Sequence, residues 1–212
     1  MRHRPRSADG TLRANAKREQ TVNLDELPIP DRKLIQKYKG RYFFTGIRPM
    51  ASIFTSRGCS FDCNFCAIWE FYERRTRFLS AKRIVDQMEA CEEPFVFVLD
   101  DNFLTNKRRA SELCDELERR GVKKYWLTQG RTDFAADHPE LMARLAKNGL
   151  VMVLSGFESN SDDNLAALDV SLSAEHLAKL DALGLRAPRW WAGLGAVFVA
   201  EIDEVPAGDG AA

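Results

Sequence analysis

Residues 95–102 read Phe-Val-Phe-Val-Leu-Asp-Asp-Asn, five apolar residues followed at once by three polar ones. A short apolar run that is rich in Val and Phe predicts a strand covered on both faces, as in a parallel sheet. In parallel α/β folds the reacting groups gather at the carboxyl ends of the strands. The segment therefore predicts a central strand and a candidate site directly after it.

Strand-like and helical segments alternate on both sides of this run. Apolar runs predict four strands, at 52–55, 95–99, 125–128 and 150–154. Amphipathic helices are predicted between them, one from about Ser80, one ending at Arg120 and one starting near Asp137. Because crossovers between such strands are right-handed, the repeat implies an α/β fold with a parallel sheet. The sheet is either open and doubly wound or curled as part of a barrel.

Composition and periodicity divide the chain into three parts. Residues 1–45 show little periodicity and contain two prolines around Ile29, which predicts a linker-like segment. Residues 46–169 hold the alternation of strands and helices. Residues 170–212 diverge from it, with a helical stripe at 173–183, a fifth strand within 193–200 and an acidic tail that is expected to be disordered.

The bulk composition excludes several classes of protein. A chain of 212 residues with 45% hydrophobic residues, 29% charged residues and no net charge is globular, with no field that recruits nucleic acid. No apolar run approaches the ~20 residues of a transmembrane helix, and no secretory signal is present, so a cytoplasmic protein is expected. Five cysteines in such a protein indicate metal or redox chemistry rather than disulfides.

Three of the cysteines, Cys59, Cys63 and Cys66, lie in one loop after the first predicted strand. This spacing lets three thiolates converge, and convergent thiolates hold metal. Zinc would need a fourth ligand, and structural zinc sites usually come as two cysteine pairs. A chance cluster of buried thiols conflicts with the polar residues of the loop. We therefore favour an iron–sulfur cluster with three protein ligands and one open iron.

Polar residues follow each of the other predicted strands and should meet at one edge of the sheet. The candidate site residues are Asp100, Asp101, Asn102, Arg131, Ser155 and Glu158. Acidic and small residues after a strand can also cap the next helix, although Thr105 or Asn106 can do so here. Similarly, Arg131 can form a structural ion pair with Asp133 or Asp137.

Residues 59–66, Cys-Ser-Phe-Asp-Cys-Asn-Phe-Cys, resemble the signature of radical S-adenosylmethionine enzymes, and the likeness extends through Asp169. The resemblance implies a partial (β/α) barrel with about four to five parallel strands, fewer than the family's usual six. It also implies that the three cysteines hold a 4Fe-4S cluster whose open iron binds S-adenosylmethionine. Reductive cleavage of that cofactor would yield a 5'-deoxyadenosyl radical.

The same resemblance assigns further residues to the cofactor. Phe65 would flank the adenine, and residues 100–102 stand where the family has its second-strand motif for the methionine amino group. Ser155 and Glu158 occupy the fourth-strand region that contacts ribose or methionine in the family. Arg131, which follows the third strand, is also assigned to cofactor binding. The family's Gly-Gly-Glu pattern is replaced here by Leu-Asp-Asp-Asn-Phe at 99–103.

Residues 66–72, 100–103 and 156–158 look most like the cobalamin-associated branch, notably proteins of the hopanoid C-3 methylase type. This implies a methylase-like enzyme that acts on a small molecule or a lipid such as a hopanoid and receives electrons from an external donor. Residues 24–29 resemble the linker after the cobalamin domain of that branch, but too few residues precede them to form the domain, so the chain is expected to be truncated. The alternatives are a non-catalytic cluster-binding remnant and a zinc-binding module.

Overall fold

The computed structural model describes residues 20–155 except 22, 45 and 46, together with Gly10 and one strand near the end of the chain. The strands are β1 (Met50–Ile53), β2 (Ser56–Arg57), β3 (Arg77–Phe78), β4 (Phe95–Val98), β5 (Tyr125–Gln129), β6 (Leu150–Leu154) and β7 (Val197–Val199). The α-helices are α1 (Ile68–Phe71), α2 (Ala81–Glu89), α3 (Lys107–Arg120), α4 (Thr132–Asp137) and α5 (Pro139–Lys147). Two 3₁₀ helices, Leu24–Glu26 and Arg32–Arg41, precede β1.

The main sheet has the strand order β1, β4, β5, β6, β7, and its first four strands are parallel. These four match the predicted strands, so the α/β fold and the parallel sheet are confirmed. Strand β7 falls within the predicted fifth strand, 193–200, but pairs antiparallel with β6. The fifth strand is therefore not a parallel one. A three-residue apolar pattern carries no information on strand direction, so the sequence could not show how this strand enters the sheet.

The three longer α-helices of the described residues, α2, α3 and α5, all cover one face of the sheet. Alternation along β4 decides which residues meet them, because neighbouring side chains of a strand point to opposite faces. Val96 and Val98 belong to the helix-covered core, whereas Phe95 and Phe97 belong to a second cluster on the other face. A doubly wound sheet has helices on both faces. The described part of the chain therefore matches the curled, barrel-like alternative.

Cap residues set the helix ends. The Asn106 side chain accepts a hydrogen bond from the Arg109 N–H at 3.0 Å and caps α3, as predicted, and Gly121 ends this helix with φ of 65°. The helix predicted to start near Asp137, with Pro139 in its first turn, is confirmed as α5, but its N-cap is His138 because Asp137 ends the short helix α4. Helix α4 has only six residues, too few for an apolar period to be visible.

The described part of the N-terminal segment is attached to the core by side-chain hydrogen bonds. Leu24 is buried, and the Asp25 carboxylate accepts a hydrogen bond from the Ser80 N–H at 2.9 Å. The Arg32 guanidinium donates to the Ser52 carbonyl of β1 at 2.9 Å. Composition predicted only an extended linker here, whereas the contacts make residues 23–41 a strap along β1 and α2.

Candidate functional site

The loop that carries the three cysteines, residues 58–76, lies between β2 and β3. These strands pair antiparallel, with Ser56 opposite Phe78 and Arg57 opposite Arg77, so a two-stranded ribbon closes the base of the loop. Strand β2 follows β1 after two residues. The ribbon therefore holds the loop at the carboxyl end of the first parallel strand, where the sequence placed it.

The three thiols of this loop are partly exposed and form no disulfide. A turn brings the Cys66 N–H to the Cys63 carbonyl at 3.0 Å, and the Trp69 indole donates to the same carbonyl at 3.0 Å. Burial raises the pKa of the Cys59 thiol, and the nearby Cys63 and Cys66 raise it further. The three sulfurs thus share one environment that remains open to a ligand.

The donor set of the loop has the chemistry that an iron–sulfur cluster requires, since it consists of thiols. Among the residues that the structure describes, no three Cys, His, Asp or Glu side chains meet closely enough to bind one metal ion. In a 4Fe-4S cluster each cysteine binds a different iron, so the ligands stand further apart than those of a single zinc. Three partly exposed thiols on one loop are the donor type that such a cluster takes.

Asp100 is fully buried and holds the turn between β1 and β2. Its carboxylate accepts hydrogen bonds from the N–H groups of Thr55 and Ser56 at 2.6 and 2.9 Å, and from the Thr55 hydroxyl at 2.5 Å. The Arg109 guanidinium lies 3.3 Å from the same carboxylate. Both carboxylate oxygens are therefore occupied by protein groups, and the cofactor contact predicted for Asp100 stays a prediction.

Asp101 and Asn102 reach the cysteine loop itself. The Asp101 carboxylate accepts a hydrogen bond from the Gly58 N–H at 3.1 Å, and the Asn102 side chain hydrogen-bonds the Cys59 thiol. Asn102 is only 5% exposed, yet its Oδ1 has no hydrogen-bond partner among the described residues. Because an unpaired buried amide oxygen is costly, this atom is available to a donor on a bound molecule.

Arg131 connects the end of β5 to the loop. Its guanidinium lies 4.2 Å from the centre of the Phe61 ring, and its Nη1 lies 3.9 Å from the Cys63 sulfur. It also pairs with Asp133 at 2.6 Å, so the structural ion pair considered as the alternative is present. The two contacts coexist, which places a fixed positive charge beside one of the predicted cluster ligands.

The remaining predicted site residues are placed differently. Ser155, directly after β6, is 6% exposed, and its hydroxyl has no partner among the described residues. Phe65 lies in the cysteine loop with 52% of its surface exposed. Glu158 lies outside the described residues. The structure thus brings Asp100, Asp101, Asn102 and Arg131 into contact with the loop or its base, and leaves Ser155 as a buried polar group at a strand end.

Arg109 is the functional candidate that sequence reasoning missed. Its side chain is 5% exposed, and the guanidinium lies 4.7 Å from the ring centres of both Phe78 and Phe103. A signal was present, because Arg109 falls on the same helical stripe as Leu113 and Leu117, which are buried. A charged residue on such a stripe is rarely buried unless it is paired.

This geometry defines an α/β protein with a three-thiol loop at the carboxyl edge of a parallel, barrel-like sheet. The family model of the Radical SAM superfamily matches residues 53–184. The chain therefore belongs to the radical S-adenosylmethionine superfamily, as the resemblance predicted. Membership of this superfamily implies a 4Fe-4S cluster and S-adenosylmethionine as cofactors.

Curated relatives and solved structures agree with this assignment. Hopanoid C-3 methylase of Methylococcus capsulatus is 34% identical over 145 residues, which are 68% of this chain and 28% of that protein. Anaerobic magnesium-protoporphyrin IX monomethyl ester cyclase of Rubrivivax gelatinosus is 29% identical over 156 residues, 71% of this chain and 27% of that protein. A structure of the cobalamin-dependent S-adenosylmethionine radical enzyme OxsB, with aqua-cobalamin and S-adenosylmethionine bound, matches 84% of this chain with a TM-score of 0.65 at 22% identity.

The OxsB likeness shows the fold, and the match covers 27% of the OxsB chain. This chain spans between a quarter and a third of the length of the relatives named above. In the part of the chain that the structure describes, no helix has the length and apolar character needed to cross a membrane.

Proposed function

We propose that the chain binds a 4Fe-4S cluster through Cys59, Cys63 and Cys66 and acts with S-adenosylmethionine as a radical enzyme of the methylase type. The observation that supports this most strongly is the three-thiol loop, which is contacted by residues from two neighbouring strand ends, Asn102 and Arg131. When bound and reduced, the cluster supplies the electron that cleaves the cofactor's sulfonium and yields a 5'-deoxyadenosyl radical.

The roles that we propose for the other residues follow from their hydrogen-bonding capacity. The Asn102 Oδ1 and the Ser155 hydroxyl have no partner within the described part of the chain. The Asn102 Oδ1 accepts a hydrogen bond from the cofactor's amino group, and the Ser155 hydroxyl bonds its ribose or methionine part. Arg131 attracts its carboxylate, and the exposed Phe65 ring offers a flat apolar surface to the adenine. Asp101 orients the loop through the Gly58 N–H. The role of Glu158 remains a prediction from sequence.

An apolar substrate is favoured by the sheet face opposite the helices. Phe97 and Leu127 are buried there, and Leu99, Leu154 and Phe44 pack against them. The rings of Phe44 and Phe97 are 5.3 Å apart between centres. Leu99 and Leu154 stand at the carboxyl ends of β4 and β6, the edge that carries the cysteine loop. Because Leu99 and Leu154 are only partly buried, covering them with a small molecule or lipid that has a large apolar surface, such as a hopanoid, gains hydrophobic free energy.

Anaerobic reconstitution with iron and sulfide tests cluster binding. We expect equal amounts of iron and labile sulfide in the wild-type protein and a loss of both in the Cys63→Ala variant. Cys114→Ala is the matched control, because Cys114 is buried in the helix-covered core and should affect packing alone. Zinc without labile sulfide would contradict the proposal and favour the zinc-binding module.

Catalysis is tested separately on the loaded protein. After addition of S-adenosylmethionine and a chemical reductant in place of the external electron donor, we expect 5'-deoxyadenosine, measured by liquid chromatography. A loaded cluster that forms none would favour the non-catalytic remnant. Repeating the reaction with and without added cobalamin, and with a hopanoid as methyl acceptor, tests whether the branch's methylase chemistry occurs in this chain.

A further inference from the structure

We propose that Arg109 is a positioning residue for the cysteine loop, and that with Asp100 it forms a buried brace that fixes the loop before any cofactor binds. The inference rests on the proposed function in one respect, namely that this loop holds the cluster. The brace itself is a property of the protein alone. It assigns a role to an arginine that the cofactor-binding proposal does not use.

The contacts of Arg109 converge on the turn that leads into the loop. Its Nη1 donates to the Thr55 carbonyl at 2.9 Å and lies 3.2 Å from the Thr55 hydroxyl, while Nη2 lies 3.3 Å from Asp100. Asp100 in turn accepts from Thr55 and Ser56. The forked guanidinium therefore contacts Thr55 and Asp100 at the same time. A lysine side chain cannot reproduce this geometry.

Helix α3 holds Arg109 in place because the helix is packed into the core. Leu113 and Leu117, one and two turns further along, are buried in the helix-covered core. The guanidinium is also enclosed between the rings of Phe78 and Phe103 at 4.7 Å, and Phe78 belongs to the ribbon that closes the loop. Arg109 thus touches both ends of the loop's base, the Thr55 turn and β3.

We expect the Arg109–Asp100 ion pair to affect the position of the cysteine loop more than the stability of the fold. Well-packed apolar residues often replace a whole buried ion pair at little cost, whereas removing one partner leaves the other charge unpaired and destabilises the protein. The hydrogen bonds of the brace end at residues 55 and 56, two residues before Gly58 and three before Cys59. Loss of the brace should therefore loosen the Cys59 side of the loop more than it destabilises the sheet.

The brace is tested by thiol reactivity in the apo-protein, with Arg109→Met compared with Arg120→Met. Arg120 is on the same helix and pairs with Asp86, Glu89 and Glu116, so its loss removes an equally well-bonded arginine far from the loop. We expect the loop thiols to react with a disulfide reagent about ten-fold faster in Arg109→Met, as the loss of hydrogen bonds to a charged group predicts. Arg120→Met should keep the wild-type rate.

Iron and sulfide content and the electron paramagnetic resonance spectrum after reconstitution give the second measurement. We expect Arg109→Met to bind less iron with an altered spectrum, and Arg120→Met to bind the wild-type amount. If Arg109→Met does not fold, Thr55→Val removes the hydroxyl contacts with a near-isosteric side chain and should show the same accelerated reactivity.

The two proposals fail in different ways. Wild-type protein that takes up no iron and sulfide would contradict the proposed function, while the apo-protein rates would still test the brace. If Arg109→Met matches Arg120→Met in thiol rate, or Thr55→Val has the wild-type rate, the brace is refuted and Arg109 contributes to general stability alone.

Discussion

Replacing Gly58 by alanine tests whether the backbone geometry of the loop controls the site. Gly58 has φ of 92°, and an added Cβ would collide with the Arg75 carbonyl oxygen and lie 2.9 Å from the Tyr72 Cβ. Left-handed backbone costs an ordinary residue about 1–2 kcal/mol, and overpacking adds about 1–3 kcal/mol. The combined cost of about 2–5 kcal/mol is a large fraction of the stability of a typical domain.

The loop can relieve this strain by moving, because it lies at the edge of the sheet and carries little of the core. We therefore expect Gly58→Ala to lose most of its iron and sulfide after reconstitution, while its melting temperature falls by less than the full cost predicts. Each kcal/mol of global destabilisation would lower that temperature by about 2–4 °C in a protein of this size.

Gly121→Ala is the matched control for this prediction. Gly121 also has positive φ, 65°, but among the described residues no atom beyond its own chain neighbours lies within 4 Å of an added Cβ, and it ends α3, whereas the loop lies beyond the other end of this helix. The Gly121→Ala variant should lose stability through backbone strain alone and bind the wild-type amount of iron and sulfide. Wild-type cluster content and an unchanged resonance spectrum in Gly58→Ala would refute the argument that the loop is held by this close approach.

Three further predictions concern charge and reactivity. Cys91 and Cys114 are buried, and burial raises the pKa of Cys114 to about 11. We therefore expect neither thiol to react with an alkylating reagent in the native apo-protein. Mass spectrometry should find both unmodified until denaturant is added. The hydrogen bond from Arg144 lowers the pKa of Glu118 from 4.5 to about 2. This pair therefore stabilises the fold above about pH 4.5 and loses that effect as the pH falls towards 2, so Arg144→Met should show less acid sensitivity in urea unfolding. Arg131→Met removes a positive charge 3.9 Å from the Cys63 sulfur and should make the cluster's midpoint potential more negative in a potentiometric titration, whereas an unchanged potential would contradict the electrostatic role.

Several features of the fold could be predicted because their signals are local. The four parallel strands are short apolar runs, and the cap at Asn106 and the stop at Gly121 depend on residues at the helix ends themselves. The ribbon of β2 and β3 could not be predicted, because strands of two residues have no period. The same is true of the strap at 23–41, whose helices carry few apolar residues and are tied down by hydrogen bonds to distant groups.

The sequence by itself indicated the superfamily of this protein, because the spacing of Cys59, Cys63 and Cys66 on one loop is a local property of the chain. The tertiary structure alone decided which polar side chains at the strand ends are hydrogen-bonded within the protein and which remain available to a cofactor. Asp100 and its partner Thr55 are 45 residues apart. No local pattern shows that this carboxylate is buried and hydrogen-bonded to the turn, while the Asn102 oxygen has no partner among the residues that the structure describes. Hydrogen-bond satisfaction is a property of the folded surroundings, and only the packed sheet and helix α3 determine which polar groups remain for a cofactor.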